Sequence, residues 1–304
     1  MRKIVLVSGG VAVAAAVLML AGKPVPAQQD FSKVQIKTIA VRGGVSMLMG
    51  AGGNIGIMAG ADGVFMIDDQ FAPLTPKIIA AIKKISSQPI RFLLNTHWHF
   101  DHTGGNTNIG KLGTVIVAHE NVRKLMSKNQ FLKAFNAKIP AAPKVALPVI
   151  TFTTSTTFHL NDETISIRYV PPAHTNGDSF VHFKNANVIH AGDTFFNGFY
   201  PFIDTQYGGS IDGMINAAGI ILGLADAGTK IIPGHGPLSD KAGLAAFRAM
   251  LIEARDSIKM SMQGGKTADQ VAAADPLKAL NPKWGNGFLK PDRFVKIVYG
   301  GMKR

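Results

Sequence analysis

The sequence predicts a layered α/β domain built around two packed β-sheets. Three observations lead to this fold class. β-prone segments alternate with amphipathic helical segments, the first strands follow one another through short glycine-containing turns, and no linker-like change in composition interrupts residues 28–304. We therefore expect residues 28–304 to form a single domain.

The predicted elements run from a strand-rich start to a helix-rich end. Strands are expected where β-branched and apolar residues cluster between turn signals: Val34–Val41, Ser46–Met49, Asn54–Met58, Val64–Ile67, Phe92–Leu94, Thr114–Ala118, Ile150–Phe152, Thr164–Val170, Phe180–Phe183, Val188–Ala191 and Ile231–Pro233. Helices are expected where apolar residues recur every three or four positions: one capped by Thr75 with Pro76 at its first position, then Glu120–Met126, Ile211–Leu224, Lys241–Met262, Thr267–Ala274 and Pro291–Val298. Residues 128–148 lack periodicity, and we expect a loop there that faces the substrate.

The composition excludes several kinds of chemistry. With 46% apolar and 17% charged residues among 304, the chain can form a core and is not of the disordered type. It has no cysteine, which excludes disulfides, thiolate zinc sites, iron–sulfur clusters, a cysteine nucleophile and a lipoprotein anchor. The formal charge of +13 comes from scattered lysines and arginines, so we expect a generally basic surface and no nucleic-acid partner.

The N-terminus has the pattern of a cleavable signal peptide. Arg2 and Lys3 precede the apolar stretch Ile4–Ala21, and Val25-Pro26-Ala27 provides small residues where signal peptidase requires them. We expect cleavage near Ala27, a periplasmic or secreted protein, and no stable membrane anchor after cleavage.

A dense group of metal-ligand side chains directly follows a predicted buried strand. Residues 96–106 read Thr-His-Trp-His-Phe-Asp-His-Thr-Gly-Gly-Asn, which places His97, His99, Asp101 and His102 in one short connection. The composition of the chain makes a chance His-x-His-x-Asp-His pattern a roughly 4 in 10,000 event. Imidazole and carboxylate together suit zinc and its neighbours, so a turn or helix start should bend the segment until these groups converge.

Further candidate ligands follow later predicted strands. His174, Asp193 and His235 each lie just beyond the end of a strand, in loops that a rigid sheet would hold in place. Glycines beside Asp193 and His235 permit close approach of the backbone. Asp68, at the end of the strand Val64–Ile67, is a candidate for orienting a ligating imidazole.

The other histidines and the aromatic residues of the motif are expected to be structural. Trp98 and Phe100 alternate with the candidate ligands, so their rings should pack away from the metal. Four histidines lie within or beside strands without ligand spacing: His119, His159, His182 and His190.

The ordered motifs resemble the metallo-β-lactamase superfamily of hydrolases, in which His-x-His-x-Asp-His precedes a lone His, a lone Asp or Cys and a Gly-His-Gly-like loop. The resemblance implies an αββα sandwich of two mixed β-sheets flanked by helices, with a dinuclear site at one edge. It also implies the ligands of two zinc ions: His97, His99 and His174 for the first, Asp101, His102 and His235 for the second, and Asp193 bridging both.

For function, the resemblance implies hydrolysis of an amide or ester carbonyl by a metal-bound hydroxide that Asp101 orients. Two zinc ions, two aspartates and one hydroxide leave about +1 in the site, which favours an anionic small-molecule substrate or a developing oxyanion. Aspartate at 193, where many zinc β-lactamases use cysteine, is more similar to glyoxalase II-type thioester hydrolases and lactonases, and it admits iron or manganese.

Export favours substrates that arrive from outside, so a β-lactamase-like hydrolase acting on an amide or ester ring is the leading hypothesis. Two other hypotheses stay open. One is a mononuclear iron persulfide dioxygenase, and the other is a periplasmic metal-binding protein without turnover.

Overall fold

The computed structural model describes residues 30–303. The predicted signal peptide, residues 1–27, lies outside the described residues. In the part of the chain that is described, no helix is long and apolar enough to cross a membrane.

Strands and helices alternate along the described chain. The strands are β1 (Lys37–Arg42), β2 (Val45–Met49), β3 (Ile55–Gly60), β4 (Gly63–Ile67), β5 (Ile90–Asn95), β6 (Val115–His119), β7 (Gln130–Leu132), β8 (Ala137–Ile139), β9 (Ile150–Phe152), β10 (Ser155–Leu160), β11 (Glu163–Tyr169), β12 (Ser179–Phe183), β13 (Val188–His190), β14 (Lys230–Ile232) and β15 (Ser239–Asp240). The helices are α1 (Thr75–Ile85), α2 (Phe100–Thr103), α3 (Asn106–Gly110), α4 (Glu120–Met126), α5 (Ile211–Leu224), α6 (Lys241–Ser261), α7 (Ala268–Ala273), α8 (Asn281–Trp284) and α9 (Pro291–Met302).

The strands form two large mixed sheets and one small hairpin. The first sheet has the order β1-β2-β3-β4-β5-β6-β9; β1 to β4 make an antiparallel meander, and the remaining neighbours are parallel. The second has the order β10-β11-β12-β13-β14-β15 and is antiparallel except between β13 and β14. Strands β7 and β8 pair only with each other.

Alternation along the strands determines which side chains fill the space between the two sheets. On β4, Phe65 and Ile67 point into the core between the sheets, whereas Val64 and Met66 point to the opposite face. On β11, Ile165 and Ile167 meet that core from the second sheet.

Helices cover the outer face of each sheet. Helix α1 buries Ile78 and Ile82 on the outer face of the first sheet, and a larger core joins α5, α6 and α9 to the second sheet. The layers therefore run helix, sheet, sheet, helix, which confirms the predicted αββα sandwich.

Three local predictions differ from the structure. Helix α1 begins at Thr75 itself rather than being capped by it, because residues 72–74 form a 3₁₀ turn that leads directly into the helix. Strand β10 was not predicted, since it is an edge strand with an exposed polar face and only a weak apolar pattern. Residues 128–148 are not a plain loop, because they contain the hairpin β7–β8.

Candidate metal centre

The first histidine motif leaves the end of β5 and turns into a helix. His97 follows β5 through Thr96, His99 has extended backbone at the N-cap of α2, and Asp101 and His102 lie within that helix. The change from extended to helical backbone brings side chains to one side that a straight strand would have sent to opposite sides.

Loops after β11, β13 and β14 bring the other candidate ligands to the same edge. The loop that carries His174 is held by Asp178, whose carboxylate accepts from the backbone N–H groups of His174 and Thr175 at 2.7 and 2.8 Å. Asp193 lies in a short 3₁₀ turn after β13, and His235 follows β14. All seven predicted ligands therefore meet in one place.

The ligand atoms form two groups that meet at Asp193. The first donor set is His97, His99 and His174, in which His99 Nδ1 lies 3.2 Å from His97 Nε2 and 2.9 Å from His174 Nε2.

The second donor set is Asp101, His102 and His235. His235 Nε2 lies 3.3 Å from both His102 Nε2 and Asp101 Oδ2. Asp193 places Oδ1 3.0 Å from His102 Nε2 and Oδ2 3.3 Å from His174 Nε2, so one carboxylate faces both sets.

Hydrogen bonds to groups outside the centre indicate which nitrogen carries the proton on two rings of the first donor set. His99 Nε2 lies 2.8 Å from Asp204 Oδ2, and His174 Nδ1 lies 2.7 Å from the carbonyl oxygen of Phe202. Both partners can only accept, so these outer nitrogens carry the protons. The inner nitrogens, His99 Nδ1 and His174 Nε2, are left with lone pairs.

Asp68 has the corresponding role for the other buried rings. Its Oδ2 lies 2.8 Å from His102 Nδ1 and accepts the Thr96 hydroxyl at 2.7 Å. Since that hydroxyl donates to Asp68, its oxygen accepts from His97 Nδ1 at 3.1 Å. When the rings of His97 and His102 are neutral, these contacts therefore also leave the lone pair on the inner nitrogen, Nε2 in both rings.

Burial and charge divide the two donor sets electrostatically. Burial lowers the pKa of His97 well below its usual value and that of His174 to about 4, so both rings are neutral at neutral pH. Burial also opposes a charge on His102 and His235, but the neighbouring carboxylates, Asp193 first and then Asp101, together outweigh it, raising the pKa of His102 well above its usual value and that of His235 to about 9. Positive charge is therefore favoured on the second donor set and disfavoured on His97 and His174 of the first.

The arrangement fits a divalent metal ion. Tetrahedral zinc with bonds of 2.0–2.1 Å to nitrogen places neighbouring ligand atoms about 3.3 Å apart, and the contacts within each donor set fall between 2.9 and 3.8 Å. In the first set, where His97 and His174 are neutral, lone pairs that face one another at 2.9 and 3.2 Å repel unless a cation lies between them. Asp193 Oδ1 is buried, faces His102 Nε2 at 3.0 Å and makes no well-aligned hydrogen bond, as expected for an oxygen that ligates a metal.

Two glycines make the close packing around the ligands possible. A Cβ on Gly53 would overlap the His102 ring, and a Cβ on Gly234 would overlap Asp193 Oδ1. Both ligand side chains therefore occupy space that any larger residue at these positions would fill.

The centre opens into a cavity of about 380 Å³. His99, His174 and Asp193 reach its surface, together with Asp101 and His235, whose side chains are 22% and 18% exposed. The other two predicted ligands are buried beneath this floor. A small molecule in the cavity would therefore contact both donor sets.

The structure corrects one prediction about the residues around the ligands. Phe100 lines the cavity instead of packing away from it, because it begins α2 and no longer follows strand alternation. Trp98 does pack away, against Tyr207 at 4.7 Å between ring centroids. Within residues 30–303, the groups able to hold a metal contain none of the four histidines expected to be structural.

Sequence reasoning missed Asp204, the partner of His99. The two residues are 105 positions apart, and Asp204 follows a short segment that belongs to no predicted element. Its single local signal is that of an N-cap, since its carboxylate also accepts from the Tyr207 N–H.

An αββα sandwich with a buried histidine–aspartate cluster at its edge defines a class of metal-binding α/β protein. The chain belongs to the metallo-beta-lactamase superfamily, whose family model matches residues 49–239, and this confirms the resemblance inferred from the motifs.

Solved structures with similar folds include two lactamases and a sulfatase. A metallo-beta-lactamase from Pontibacter korlensis has a TM-score of 0.59 and 20% identity, with 72% of this chain and 99% of that chain covered. DIM-1 metallo-beta-lactamase has a TM-score of 0.58 and 18% identity, with 73% and 100% covered. A double mutant of the sec-alkyl sulfatase PisA1 has a TM-score of 0.65 and 15% identity, with 87% of this chain and 50% of that chain covered. At these identities the likeness concerns the fold alone.

Proposed function

We propose that this protein is an exported dinuclear zinc hydrolase of β-lactamase-like type that cleaves an amide or ester carbonyl. The observation that carries the proposal is the pair of donor sets that share Asp193 on the floor of one cavity. When bound, zinc supplies water that ionises near neutral pH and a Lewis acid for the carbonyl oxygen.

The residues of this chain would position the reacting groups. Asp101 reaches the cavity surface beside His235, where its carboxylate can accept a proton from water and orient the oxygen toward the carbonyl carbon. In the overall reaction the oxygen of water bonds to the acyl carbon, the bond from the acyl carbon to oxygen or nitrogen breaks, and the leaving group takes the proton. Asp68 and Asp204 keep the imidazoles in the tautomers that leave their inner nitrogens free.

The second donor set favours this proposal over the mononuclear iron alternative. An iron dioxygenase of this fold needs only two histidines and an aspartate, whereas the second set adds two histidines and a carboxylate beyond the first. A non-catalytic metal-binding protein is disfavoured by the cavity above the centre, because storage of a metal does not require room for a small molecule.

Metal removal and reconstitution test the proposal. We expect chelation to lower hydrolysis at least 100-fold and added zinc to restore it, with two zinc ions bound per chain. The panel would contain an ester, a lactone, the β-lactam nitrocefin, a thioester and a persulfide, each assayed with zinc, manganese and iron.

The panel distinguishes the alternatives. Turnover of the ester, lactone or lactam with zinc is the expected result. Turnover of the thioester alone would transfer the assignment to the glyoxalase II type. One iron with persulfide oxidation, or tight zinc with no turnover of any substrate, would overturn the proposal in favour of the oxygenase or the binding protein.

Export is proposed from the N-terminal pattern and is tested separately. In a Gram-negative host that expresses the full chain, we expect the mature protein in the periplasmic fraction with Gln28 as its first residue, as read by intact mass. A variant with Arg2 and Lys3 replaced by glutamate should stay uncleaved in the cytoplasm. An unmodified parent chain that keeps Met1 in the cytoplasm would contradict export.

A further inference from the structure

The wall of the cavity is unusually rich in aromatic rings. Besides the metal ligands, its lining includes six phenylalanines: Phe71, Phe100, Phe135, Phe196, Phe202 and Phe288. Widely separated parts of the chain supply them, so the wall is a product of the fold and not of one hydrophobic segment.

Two pairs of these rings lie directly against the ligand imidazoles: Phe202 with Phe135, and Phe196 with Phe288. Phe196 stacks on the His235 ring, with centroids 5.1 Å apart and planes at 17°. Phe202 lies 5.8 Å from the His99 ring and contacts Phe135 edge-on at 5.0 Å. A group attached to a carbonyl at the donor sets would therefore lie against aromatic surface.

The wall offers no partner for a charged group. No lysine or arginine is among the described residues that line the cavity, and the ionisable groups there all belong to the two donor sets and Asp193. The nearby guanidinium of Arg293 lies over the Phe135 ring at 5.2 Å and donates to the Ala134 carbonyl oxygen, and Arg293 is not among the lining residues. A carboxylate buried against such a wall would lose its hydration without gaining a counter-ion.

The outer part of the wall leaves apolar surface in contact with water. Phe135 is 39% exposed and Phe288 is 54% exposed, and both border the cavity. Binding of an apolar ligand would remove this apolar surface from water, which is favourable.

We propose that the part of the substrate beyond the scissile carbonyl is uncharged and apolar, and that Phe135 determines this specificity. The specificity in turnover rests on the proposed hydrolase function, whereas the binding of an apolar ligand to the cavity does not. The residual positive charge at the centre could attract an anionic substrate or stabilise a developing oxyanion. With an uncharged substrate, only the stabilisation of the oxyanion applies.

Two fluorescent probes test the binding without hydrolysis. N-phenyl-1-naphthylamine is neutral, and 1-anilinonaphthalene-8-sulfonate has the same ring system with a sulfonate. For the zinc-loaded protein we expect the neutral probe to bind at least tenfold more tightly. Phe135→Ala should weaken its binding about tenfold, and Phe135→Leu should retain most of the affinity.

The matched control is Phe131→Ala in the same hairpin. Phe131 is 42% exposed, similar to Phe135, but does not line the cavity, so its truncation should change probe binding less than twofold. Tighter binding of the sulfonate, or equal effects of the two alanine variants, would overturn the proposal. Unchanged thermal unfolding of both variants excludes a loss of folding as the cause.

A series of methyl esters tests the same specificity in turnover. We expect kcat/KM to rise about fourfold per added methylene along a neutral acyl chain, and monomethyl glutarate to fall at least tenfold below methyl pentanoate. Faster turnover of the acidic ester would overturn the inference while leaving the hydrolase function intact. Binding of the neutral probe through Phe135 without turnover of any ester would retain the inference and remove the proposed function.

Discussion

The Asp193→Asn variant is expected to lose about 10³-fold in kcat/KM, equivalent to about 4 kcal/mol of transition-state stabilisation, and to hold at most one metal ion per chain. Asp193 is the one predicted ligand that faces both donor sets, with oxygens 3.0 Å from His102 Nε2 in the second set and 3.3 Å from His174 Nε2 in the first. Burial opposes its charge, but the surrounding histidines hold its pKa well below the usual value. Asparagine has nearly the same shape but offers one acceptor oxygen and no charge, so it cannot serve both sets.

Metal content and kinetics check this prediction together. Mass spectrometry of the native protein counts the ions, and kcat/KM is measured with zinc in excess on the best substrate of the panel. Asp292→Asn, on the exposed first turn of α9, makes the same substitution outside the site and should leave both quantities unchanged. Two ions and undiminished activity in Asp193→Asn would exclude a bridging role.

An Asp68→Asn variant should lower metal affinity about 10- to 100-fold, the range observed when a partner that orients a metal ligand is removed. Asp68 is fully buried and accepts from the Thr96 N–H and hydroxyl and from His102 Nδ1. An amide that keeps its oxygen toward the Thr96 N–H turns its NH₂ group toward His102 Nδ1. His102 would then carry its proton on Nε2, which removes the lone pair needed for the metal.

The Asp68→Asn substitution changes the hydrogen bonds of the side chain without straining the backbone. Asp68 has φ of +58°, a conformation in which asparagine and aspartate are both favoured. Loss of affinity can therefore be attributed to the hydrogen bonds and not to backbone strain.

The neighbouring Asp69→Asn variant is the matched control. Asp69 is equally buried, and burial raises its pKa well above the usual value. Its Oδ1 accepts from the Gly105 N–H at 2.8 Å, and its Oδ2 has no hydrogen-bond partner. Asparagine keeps the acceptor for the Gly105 N–H and leaves the contact of His102 with Asp68 in place, so we expect zinc affinity within about threefold of the parent. Equal losses in both variants, measured by competition with a chromogenic chelator, would show that His102 does not depend on Asp68.

Much of the fold could be read from local patterns. Helices α4 and α5 begin and end where apolar spacing placed them, because each buries one continuous face. Strand β10 was not predicted, because the polar residues on its exposed face are typical of a loop. The start of α1 was misplaced because a turn before Thr75 had already adopted helical geometry.

For the candidate site as well, features that are local in the chain could be predicted and contacts between distant segments could not. The motif from His97 to His102 is local, so its residue types and spacing could be recognised without a fold. Asp204 could not be recognised, because its partner His99 is distant in the chain and the contact depends on the loop after β13. The cavity wall was equally inaccessible, since Phe135 and Phe202 become neighbours only after the hairpin β7–β8 packs beside the centre.

The sequence by itself determined the layered architecture, the superfamily and which side chains are suited to hold metal, because periodicity and ligand chemistry are properties of residues close together along the chain. The tertiary structure decided which nitrogen of each imidazole faces inward and how Asp193 lies between the donor sets. It also decided that aromatic rings line the cavity above them and that no lysine or arginine is among the described lining residues. These features depend on distances between segments far apart in the chain, and those distances are set by the packing of the two sheets.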